Sequence, residues 1–445
     1  MSWGRSASFY HLFPLGCLGA PRVNPGGEAT PRLENLESWL DHIAALGLGG
    51  LLLGPVCESA THGYDILDLR RVDRRLGSDA DLARLVAAAH ARGINVMLDG
   101  VFNHVGRGHR AFQDVLAKGR DSRFAAWFIL DFDTPGPRGE SFHYETWRGH
   151  DILVTLNTQN PETREYLVAT AEGWIDAYDI DGIRLDAADV LSLGFQAELA
   201  ARCRAKRPDF WLLAEAIHGD YRRWTDAGND SVTNYVLHKA LWSSFNDGNM
   251  FELAHTLDRQ FGPKGTLRGL PLGTFLDNHD TPRIATKLKH AAHLAPLHVL
   301  LFGLPGVPFV YYGSEAGIPG EHHETDHDWP LRPELQPGDL TSLPHSELMP
   351  LIAALARARA AHPALREGDY QPLHVAPRAF ACLRRAGDDL AVVAANAGME
   401  AARLTLRHDA LGNRRLIDVI GGAQVAAQEN RVEVALAPAS AMILV

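Results

Sequence analysis

The sequence alternates short apolar runs with longer segments in which apolar residues recur every three to four positions. The short runs predict β-strands and the longer periodic segments predict helices. A β-run followed by a helix, repeated about eight times, indicates parallel βα units. Because the repetition continues over roughly 360 residues, it favours a closed (β/α)8 TIM barrel over an open sheet.

An open doubly wound sheet is the alternative arrangement of parallel βα units. Such a sheet would normally carry a glycine-rich phosphate turn, and the sequence contains neither GxGxxG nor a Walker motif. The barrel is therefore the prediction that we retain. Its strands are expected at residues 9–12, 50–53, 94–98, 182–185, 211–214, 231–236, 274–276 and 308–311.

Two departures from the repeat predict additional domains. Residues 103–157 separate the third strand from the next helix by far more than a common loop, so we expect a small inserted subdomain B. From residue 369 the pattern changes to alternation with period two, which predicts an antiparallel β domain over residues 369–445. The barrel itself is then expected in two parts, residues 1–102 and 158–368.

Charge and cysteine content restrict the partners and the compartment. The net charge is −11, with the acidic excess spread along the chain, which argues against nucleic acid and membrane partners. The four cysteines stand far apart and show no metal or redox spacing, so we expect four reduced, mostly buried thiols and a cytoplasmic location. The sequence leaves the oligomeric state open.

Carboxylates stand at or soon after the predicted ends of four barrel strands. In a parallel barrel all strand ends of one kind open onto the same face, so these side chains converge on one pocket. A lone aspartate in such a place usually caps a helix, but four carboxylates with basic neighbours predict a catalytic site. The carboxylates are Asp99, Asp186, Glu215 and Asp280, and the neighbours are His104, Arg184 and His279.

Paired carboxylates in one pocket are the equipment of glycoside hydrolysis. One carboxylic acid protonates the leaving oxygen, and a second carboxylate either attacks the anomeric carbon or activates a water. The groups lie about 5–5.5 Å apart in retaining enzymes and farther apart in inverting ones. Spacing along a sequence does not measure this separation, so both outcomes stay open at this point.

Seven segments of the sequence resemble, in order, the motifs of the α-amylase family, glycoside hydrolase family 13. The four central ones are DGVFNH (99–104), GIRLDAADV (182–190), LLAEAIH (212–218) and FLDNHD (275–280). The flanking ones are HGYD (62–65), YETWRGHDILVTLN (144–157) and VYYGSEAG (310–317). In motif style the sequence is nearest to bacterial cyclomaltodextrinase- and neopullulanase-like members, although it begins directly on the barrel, without their N-terminal β module.

This resemblance implies an activity and assigns the catalytic residues. It implies a retaining glycosidase acting on α-glucosidic bonds, most simply the α-1,4 bonds of maltooligosaccharides and other short α-glucans. Asp186 would be the nucleophile, held ionised by Arg184, and Glu215 the general acid and base. Asp280 would stabilise the transition state.

The resemblance also implies contacts with the sugar. Tyr64 would stack on the sugar ring, exposed in the cleft, while His104 and His279 would bind hydroxyls and Asp99 would order the site. Trp147 either lines a sugar subsite or packs inside subdomain B. No cofactor is expected to be required. Asn103 matches a position that often ligates calcium in the family, so a structural calcium and a purely structural asparagine are the alternatives.

Two neighbours of the nucleophile depart from the family pattern. Asp189 and Val190 stand where many members have Lys-His or Asn-Glu, on the side of the leaving group. The preference for the leaving group is therefore open. A transglycosylase or isomerase using the same three carboxylates is an alternative function, and a non-catalytic binding protein is disfavoured because the three carboxylates are complete.

Overall fold

The computed structural model describes residues 2–445, and its central feature is a sheet of eight parallel strands. The strands are β1 Phe9–Leu12, β2 Gly50–Leu53, β3 Asn95–Gly100, β4 Gly182–Leu185, β5 Trp211–Ala214, β6 Ser231–Val232, β7 Gly273–Phe275 and β8 Val307–Tyr311. Neighbours in sequence pair in parallel, β8 pairs with β1, and a bridge between Thr233 and Gly273 joins β6 to β7. The predicted (β/α)8 barrel is confirmed.

Helices connect the strands. The longer ones are Glu37–Ala45, Asp79–His90, Pro161–Tyr178, Leu193–Lys206, Tyr235–Asp247, Met250–Phe261, Leu294–Gly303 and Leu348–Ala361. Shorter ones are Trp3–Ser6, Pro14–Cys17, Arg222–Asp226, Ile284–Lys287, Pro337–Leu340 and Pro363–Glu367. Their starts follow capping chemistry. Ser78 and Asp81 form a reciprocal capping box, and Asn160, which precedes Pro161, accepts the Thr163 amide.

Side-chain alternation along the strands fills the barrel and also places the polar residues. Phe9, Leu52, Met97 and Trp211 belong to the cluster that packs the interior. Gly50 has room for no side chain, because a Cβ atom there would lie 2.5 Å from the Phe9 ring. Two residues beyond Phe9 and Met97 the same inward direction reaches the carboxyl end of the barrel, where polar side chains replace the apolar ones.

The sixth strand is shorter than the predicted range 231–236. It ends at Val232, and the Asn234 side chain accepts the Leu237 amide to begin the helix Tyr235–Asp247. The prediction of strand for Tyr235 and Val236 was wrong, because the cap at Asn234 outweighs the β preference of these two residues.

An inserted subdomain follows β3. It pairs His104–Gly106 with Leu153–Thr155 and Leu130–Asp131 with His143–Tyr144, around a helix at Arg110–Lys118. A smaller hairpin, Cys57–Ser59 with Ile66–Val72, follows β2. The predicted insertion after the third strand is therefore present.

The C-terminal strands are antiparallel, as predicted. Asp369–Val375, Ala379–Ala386, Asp389–Asn396 and Ser440–Leu444 form one sheet. Ala402–Arg407 pairs with Arg431–Leu436, and Arg415–Ile417 pairs with Gln424–Ala426.

Two further expectations concern the whole chain. Residues 2–445 include no helix that combines the length and the apolar character needed to cross a bilayer. All four cysteines lie within this described part of the chain, and each is buried with a free thiol. The prediction of reduced, buried cysteines is confirmed.

Candidate active site

Arg184 is the centre of a buried cluster of three carboxylates at the carboxyl end of the barrel. Its Nη1 donates to both oxygens of Asp99 at 2.7 Å and to Asp186 Oδ1 at 3.2 Å. Its Nη2 lies 2.6 Å from Glu215 Oε1. The strands β3, β4 and β5 thus bring three of the predicted site residues onto the guanidinium of a fourth, Arg184.

Asp186 has one oxygen with no protein partner. Oδ1 is bonded to Arg184, whereas Oδ2 is buried and has no hydrogen-bond partner within residues 2–445. Burial raises the pKa of Asp186 well above its usual value, Arg184 opposes this rise, and Glu215 and Asp99 add to it. Because one guanidinium does not neutralise three carboxylates, the cluster retains a proton at pH values where an isolated aspartate has lost its own.

Glu215 is held by groups that follow other strands. Its Oε2 accepts the Ala187 amide at 3.0 Å, and its Oε1 accepts the Tyr235 hydroxyl at 3.2 Å. Ala187 has φ of 47°, the left-handed region that residues with a side chain rarely adopt. This strained turn directly after Asp186 aims the amide at Glu215 and so fixes the two carboxyl groups relative to each other.

Asp280 is the most accessible of the three predicted catalytic carboxylates, with 40% of its side chain exposed. Its Oδ2 lies 3.0 Å from His279 Nε2, and its Oδ1 lies 3.0 Å from Arg332 Nη2. Partial burial raises the pKa of Asp280, but His279 and, after it, Arg332 lower that pKa well below its usual value. The Asp280 carboxylate is therefore ionised and faces the cleft.

Tyr64 is buried against the cluster. Its hydroxyl donates to Asp99 Oδ2 at 2.9 Å and contacts His279 Nε2, and its ring stacks on the His279 ring with centroids 5.6 Å apart. Only 9% of Tyr64 is exposed, so the prediction of an exposed ring in the cleft is wrong. The Tyr64 hydroxyl points inward because its partners, Asp99 and His279, lie in the interior. The polar sequence neighbours of Tyr64, such as His62, did not indicate this burial.

His104 and Trp147 lie side by side where the inserted subdomain meets the barrel. Their rings are 5.8 Å apart, and Trp147 is partly exposed, whereas the aromatic rings of Phe112, Phe128 and Tyr144 form the core of the subdomain. His104 Nε2 is buried without a partner in the described chain, and burial lowers the pKa of His104 to about 3. A neutral imidazole with a free nitrogen is suited to bind a sugar hydroxyl.

Asn103 has contacts that do not involve a metal. Its side-chain amide donates to His104 Nδ1 at 3.3 Å, and its backbone carbonyl accepts the Leu156 amide at 2.9 Å. Residues 2–445 contain no group of three or more His, Cys, Asp or Glu side chains arranged to hold a metal ion. The observed contacts suit a structural asparagine, and calcium binding stays a prediction.

Two residues of the site were missed by the sequence analysis. Tyr235 was predicted to lie in a strand. In the structure its hydroxyl, which donates to Glu215, also accepts a hydrogen bond from Asn278 Nδ2 at 3.0 Å. Arg332 lies in the segment 322–334, whose many histidines and acids are typical of a solvated loop. Arg332 is nevertheless only 4% exposed, and it also donates to the His279 backbone carbonyl at 3.1 Å. Its place after β8 was the one available signal, because loops at that end of a barrel carry function.

Asp189 and Val190 lie in the loop that follows β4, three and four residues after Asp186. Val190 is 59% exposed, which is unusual for a large apolar side chain. Burial raises the pKa of Asp189, and the positive charge of Arg148 on the inserted subdomain lowers it. This loop therefore presents one acidic and one apolar side chain to its surroundings.

The chain is similar in sequence and in fold to known proteins. Residues 27–336 match the family described as alpha amylase, catalytic domain. The chain is 30% identical over 430 residues to a cyclomaltodextrinase of a Bacillus species, covering 89% of this chain and 73% of the relative. It is 30% identical over 469 residues to neopullulanase 2 of Thermoactinomyces vulgaris, covering 99% and 78%. A solved cyclomaltodextrinase structure aligns with a TM-score of 0.87 at 28% identity, covering 100% of this chain and 78% of that chain.

Proposed function

Because the chain belongs to the α-amylase family of glycoside hydrolases, we propose that it hydrolyses α-1,4-glucosidic bonds in maltooligosaccharides and other short α-glucans with net retention. The observation that carries the proposal is the convergence of Asp99, Asp186 and Glu215 on Arg184 at the barrel mouth. This arrangement provides a nucleophile and a proton donor side by side, which double displacement requires.

The close approach of the two carboxyl groups supports retention over inversion. Asp186 and Glu215 contact the two adjacent Nη atoms of one guanidinium, at 3.2 and 2.6 Å. Two carboxyl groups that bind neighbouring nitrogens of one guanidinium are held close together, which favours the short separation of retaining enzymes, about 5–5.5 Å, over the longer one of inverting enzymes.

In the first step Asp186 attacks the anomeric carbon, and Oδ2 is the oxygen available because it has no protein partner. The bond from this carbon to the leaving oxygen breaks, and Glu215 gives its proton to that oxygen. The cluster proton must therefore reside on Glu215 when the bond breaks. Arg184 contacts both carboxyl groups, so it stabilises the negative charge on Asp186 as the proton moves.

In the second step water replaces Asp186. Glu215, now a carboxylate, takes a proton from the water, whose oxygen bonds to the anomeric carbon and releases Asp186. Asp280 is ionised and partly exposed, so it can bind sugar hydroxyls and stabilise the positive charge of the oxocarbenium-like transition state. His279 lies beside Asp280, and His104 has a buried ring nitrogen without a protein partner, so these two histidines complete the hydroxyl contacts.

The proposal extends to where the enzyme acts. Four free, buried thiols are the state expected in a reducing compartment, and this supports action in the cytoplasm.

A substrate panel tests the proposed function. Maltotriose, maltodextrin, cyclomaltodextrin, pullulan and trehalose are incubated with the enzyme, and the products are separated and quantified. We expect glucose or maltose from the α-1,4-linked substrates and nothing from trehalose. The first product should carry the α-configuration by NMR. No cleavage of any α-1,4-linked substrate would contradict the proposal, and a β-configured first product would contradict retention.

A further inference from the structure

Five arginines gather at the face of the barrel opposite the candidate active site. Arg5 precedes β1 and Arg268 precedes β7, while the other three lie in the last barrel helix, in the helix Pro363–Glu367 and in the strand Ala379–Ala386 of the C-terminal domain. This arginine cluster consists of Arg5, Arg268, Arg359, Arg366 and Arg384. A cavity of about 40 Å³ lies within it and is lined by all of them except Arg359.

The positive charge of the arginine cluster is largely uncompensated. Within residues 2–445 only Arg268 has a carboxylate within 4.0 Å, Asp369 at 2.6 Å, and this pair is at the exposed rim. Glu367 is the other acid at the cavity, and it is exposed. The concentration of positive charge is unexpected in a chain of net charge −11.

Two members of the cluster are fully buried and bonded only to backbone carbonyls. Arg359 and Arg384 are each 1% exposed. Arg384 donates to the carbonyls of Gly303 at 2.8 Å and Gly368 at 3.0 Å, and Arg359 donates to that of Gly306 at 2.9 Å. Carbonyl dipoles do not cancel a full charge, so each buried guanidinium retains a large desolvation cost. Burial lowers the pKa of Arg359 to about 9 and that of Arg384 to about 10.

Unused hydrogen-bond donors surround the same cavity. The Nε atoms of Arg5 and Arg366, two residues that line the cavity, are buried and have no partner in the described chain. The Nε atom of Arg359, which belongs to the cluster but does not line the cavity, has none either. The hydroxyl of Tyr370, which also lines the cavity and is 3% exposed as a residue, has none either. Buried donors normally find an acceptor, and several orphans around one cavity indicate a missing group that accepts hydrogen bonds and carries negative charge.

We propose that the arginine cluster binds a small oxyanion of the phosphate type. The oxygens of such an ion accept hydrogen bonds and match the paired N–H groups of a guanidinium. The ion would therefore give the unpartnered donors an acceptor and would also neutralise the buried positive charge. The cavity is small, about 40 Å³, so we assign it to free inorganic phosphate rather than to a phosphorylated sugar. The cluster joins the barrel floor to the C-terminal domain, so the bound ion stabilises that junction.

Thermal unfolding with and without inorganic phosphate tests the site, with sodium chloride added to hold the ionic strength constant. A ligand that binds only the folded state raises the Tm, and the rise grows with the ratio of ligand concentration to Kd. We expect phosphate to raise the Tm of the full chain above that in matched chloride. Titration calorimetry should give saturable binding near one ion per chain.

Two variants and a matched control locate the ion. Arg268→Gln removes a charge at the rim, and Tyr370→Phe removes only a hydroxyl, so both should fold. Each should weaken phosphate binding roughly tenfold, the loss of about one charge-assisted hydrogen bond. Arg138→Gln changes an exposed arginine that pairs with Asp151 far from the cluster in sequence, and it should keep the full Tm shift.

Three outcomes would overturn the proposal. The first is an equal Tm shift in chloride at the same ionic strength, which would mean screening alone. The second is a phosphate shift that Arg268→Gln and Tyr370→Phe leave as large as in Arg138→Gln. The third is tighter cluster-dependent binding of glucose 1-phosphate than of inorganic phosphate, which would contradict the assignment to the free ion.

Discussion

Arg332 holds Asp280 at the mouth of the barrel, with Arg332 Nη2 3.0 Å from Asp280 Oδ1. The two residues lie on loops after different strands, β8 and β7. Arg332 is buried against the Phe13 ring, 4.5 Å away, while the carboxylate that it contacts is 40% exposed. A buried cation thus fixes the position and the charge of the carboxylate that faces the cleft.

Replacing Arg332 should damage catalysis more than folding. Arg332→Gln removes a charge-assisted hydrogen bond worth about 1.5–3 kcal/mol, so kcat/KM on maltotriose should fall roughly 10- to 100-fold. Steady-state kinetics measures the loss, with circular dichroism as the check on folding. Arg22→Gln is the matched control, because Arg22 pairs with Asp326 of the same segment at the surface. Equal effects of the two variants would contradict the role of Arg332.

The pH dependence of the Arg332→Gln variant provides a second test. Arg332 helps lower the pKa of Asp280, so its loss raises that pKa. Asp280 then becomes protonated at a higher pH, and activity on the acid side is lost earlier as pH falls. The acid limb of the kcat/KM profile should move to higher pH. An acid limb that coincides with that of the wild type would show that Arg332 does not act through the charge of Asp280.

Substitutions of Asp186 and Glu215 should separate the nucleophile from the acid. Asp186→Asn should lower kcat roughly 10³-fold or more for every substrate, since it removes the nucleophile. Glu215→Gln should impair maltotriose far more than an aryl α-glucoside, whose leaving group needs little protonation. Both substrates are measured under the same conditions. Near-normal activity of Asp186→Asn, or equal losses for the two substrates in Glu215→Gln, would contradict the assigned roles.

Tyr235→Phe tests a residue that only the structure identifies. The change removes the donor to Glu215 Oε1 at 3.2 Å and the acceptor of Asn278. The loss of about 1 kcal/mol predicts a fall in kcat/KM of roughly fivefold with little change in Tm. Tyr178→Phe is the control, because Tyr178 makes a similar bond to Asp79 away from the site. If Tyr178→Phe lowers kcat/KM as much as Tyr235→Phe, the assignment fails.

The barrel and its carboxylates could be predicted from the sequence because both depend on local periodicity. The parallel register places Asp99 opposite Arg184, and its continuation past Leu185 and Ala214 places Asp186 opposite Glu215. Repeated βα patterns establish adjacency, so these contacts need no information beyond strand order.

Contacts made by irregular segments could not be predicted in this way. Arg332 reaches Asp280 from 52 residues away through a loop with no periodicity. Tyr235 was misassigned because its β preference hides the cap at Asn234. The inward turn of Tyr64 depends on acceptors supplied by β3 and by the loop after β7. In each case tertiary packing determines where the side chain lies, and the local sequence pattern carries no information about that packing.

The buried histidine His238 predicts a specific acid sensitivity of the fold. Its ring stacks on Phe275 with centroids 4.9 Å apart, and burial, followed by the charge of Lys287, lowers its pKa to about 3. The unfolded chain binds a proton on this residue near pH 6.5, about the ordinary value for histidine, whereas the folded protein does not. The free energy of unfolding contributed by this group therefore decreases as pH falls from about 6.5 towards 3.

His238→Phe should remove this part of the acid sensitivity. A single such histidine changes the free energy of unfolding by up to about 1.36 kcal/mol per pH unit in that window, so the variant should show a shallower loss of stability between about pH 6 and pH 4. Urea unfolding at several pH values measures the slope. Replacing the exposed His143 by Phe is the matched control and should leave the slope unchanged. A His238→Phe slope equal to that of the wild type would mean that His238 is already protonated in the folded protein, and the stacked, neutral arrangement would have to be abandoned.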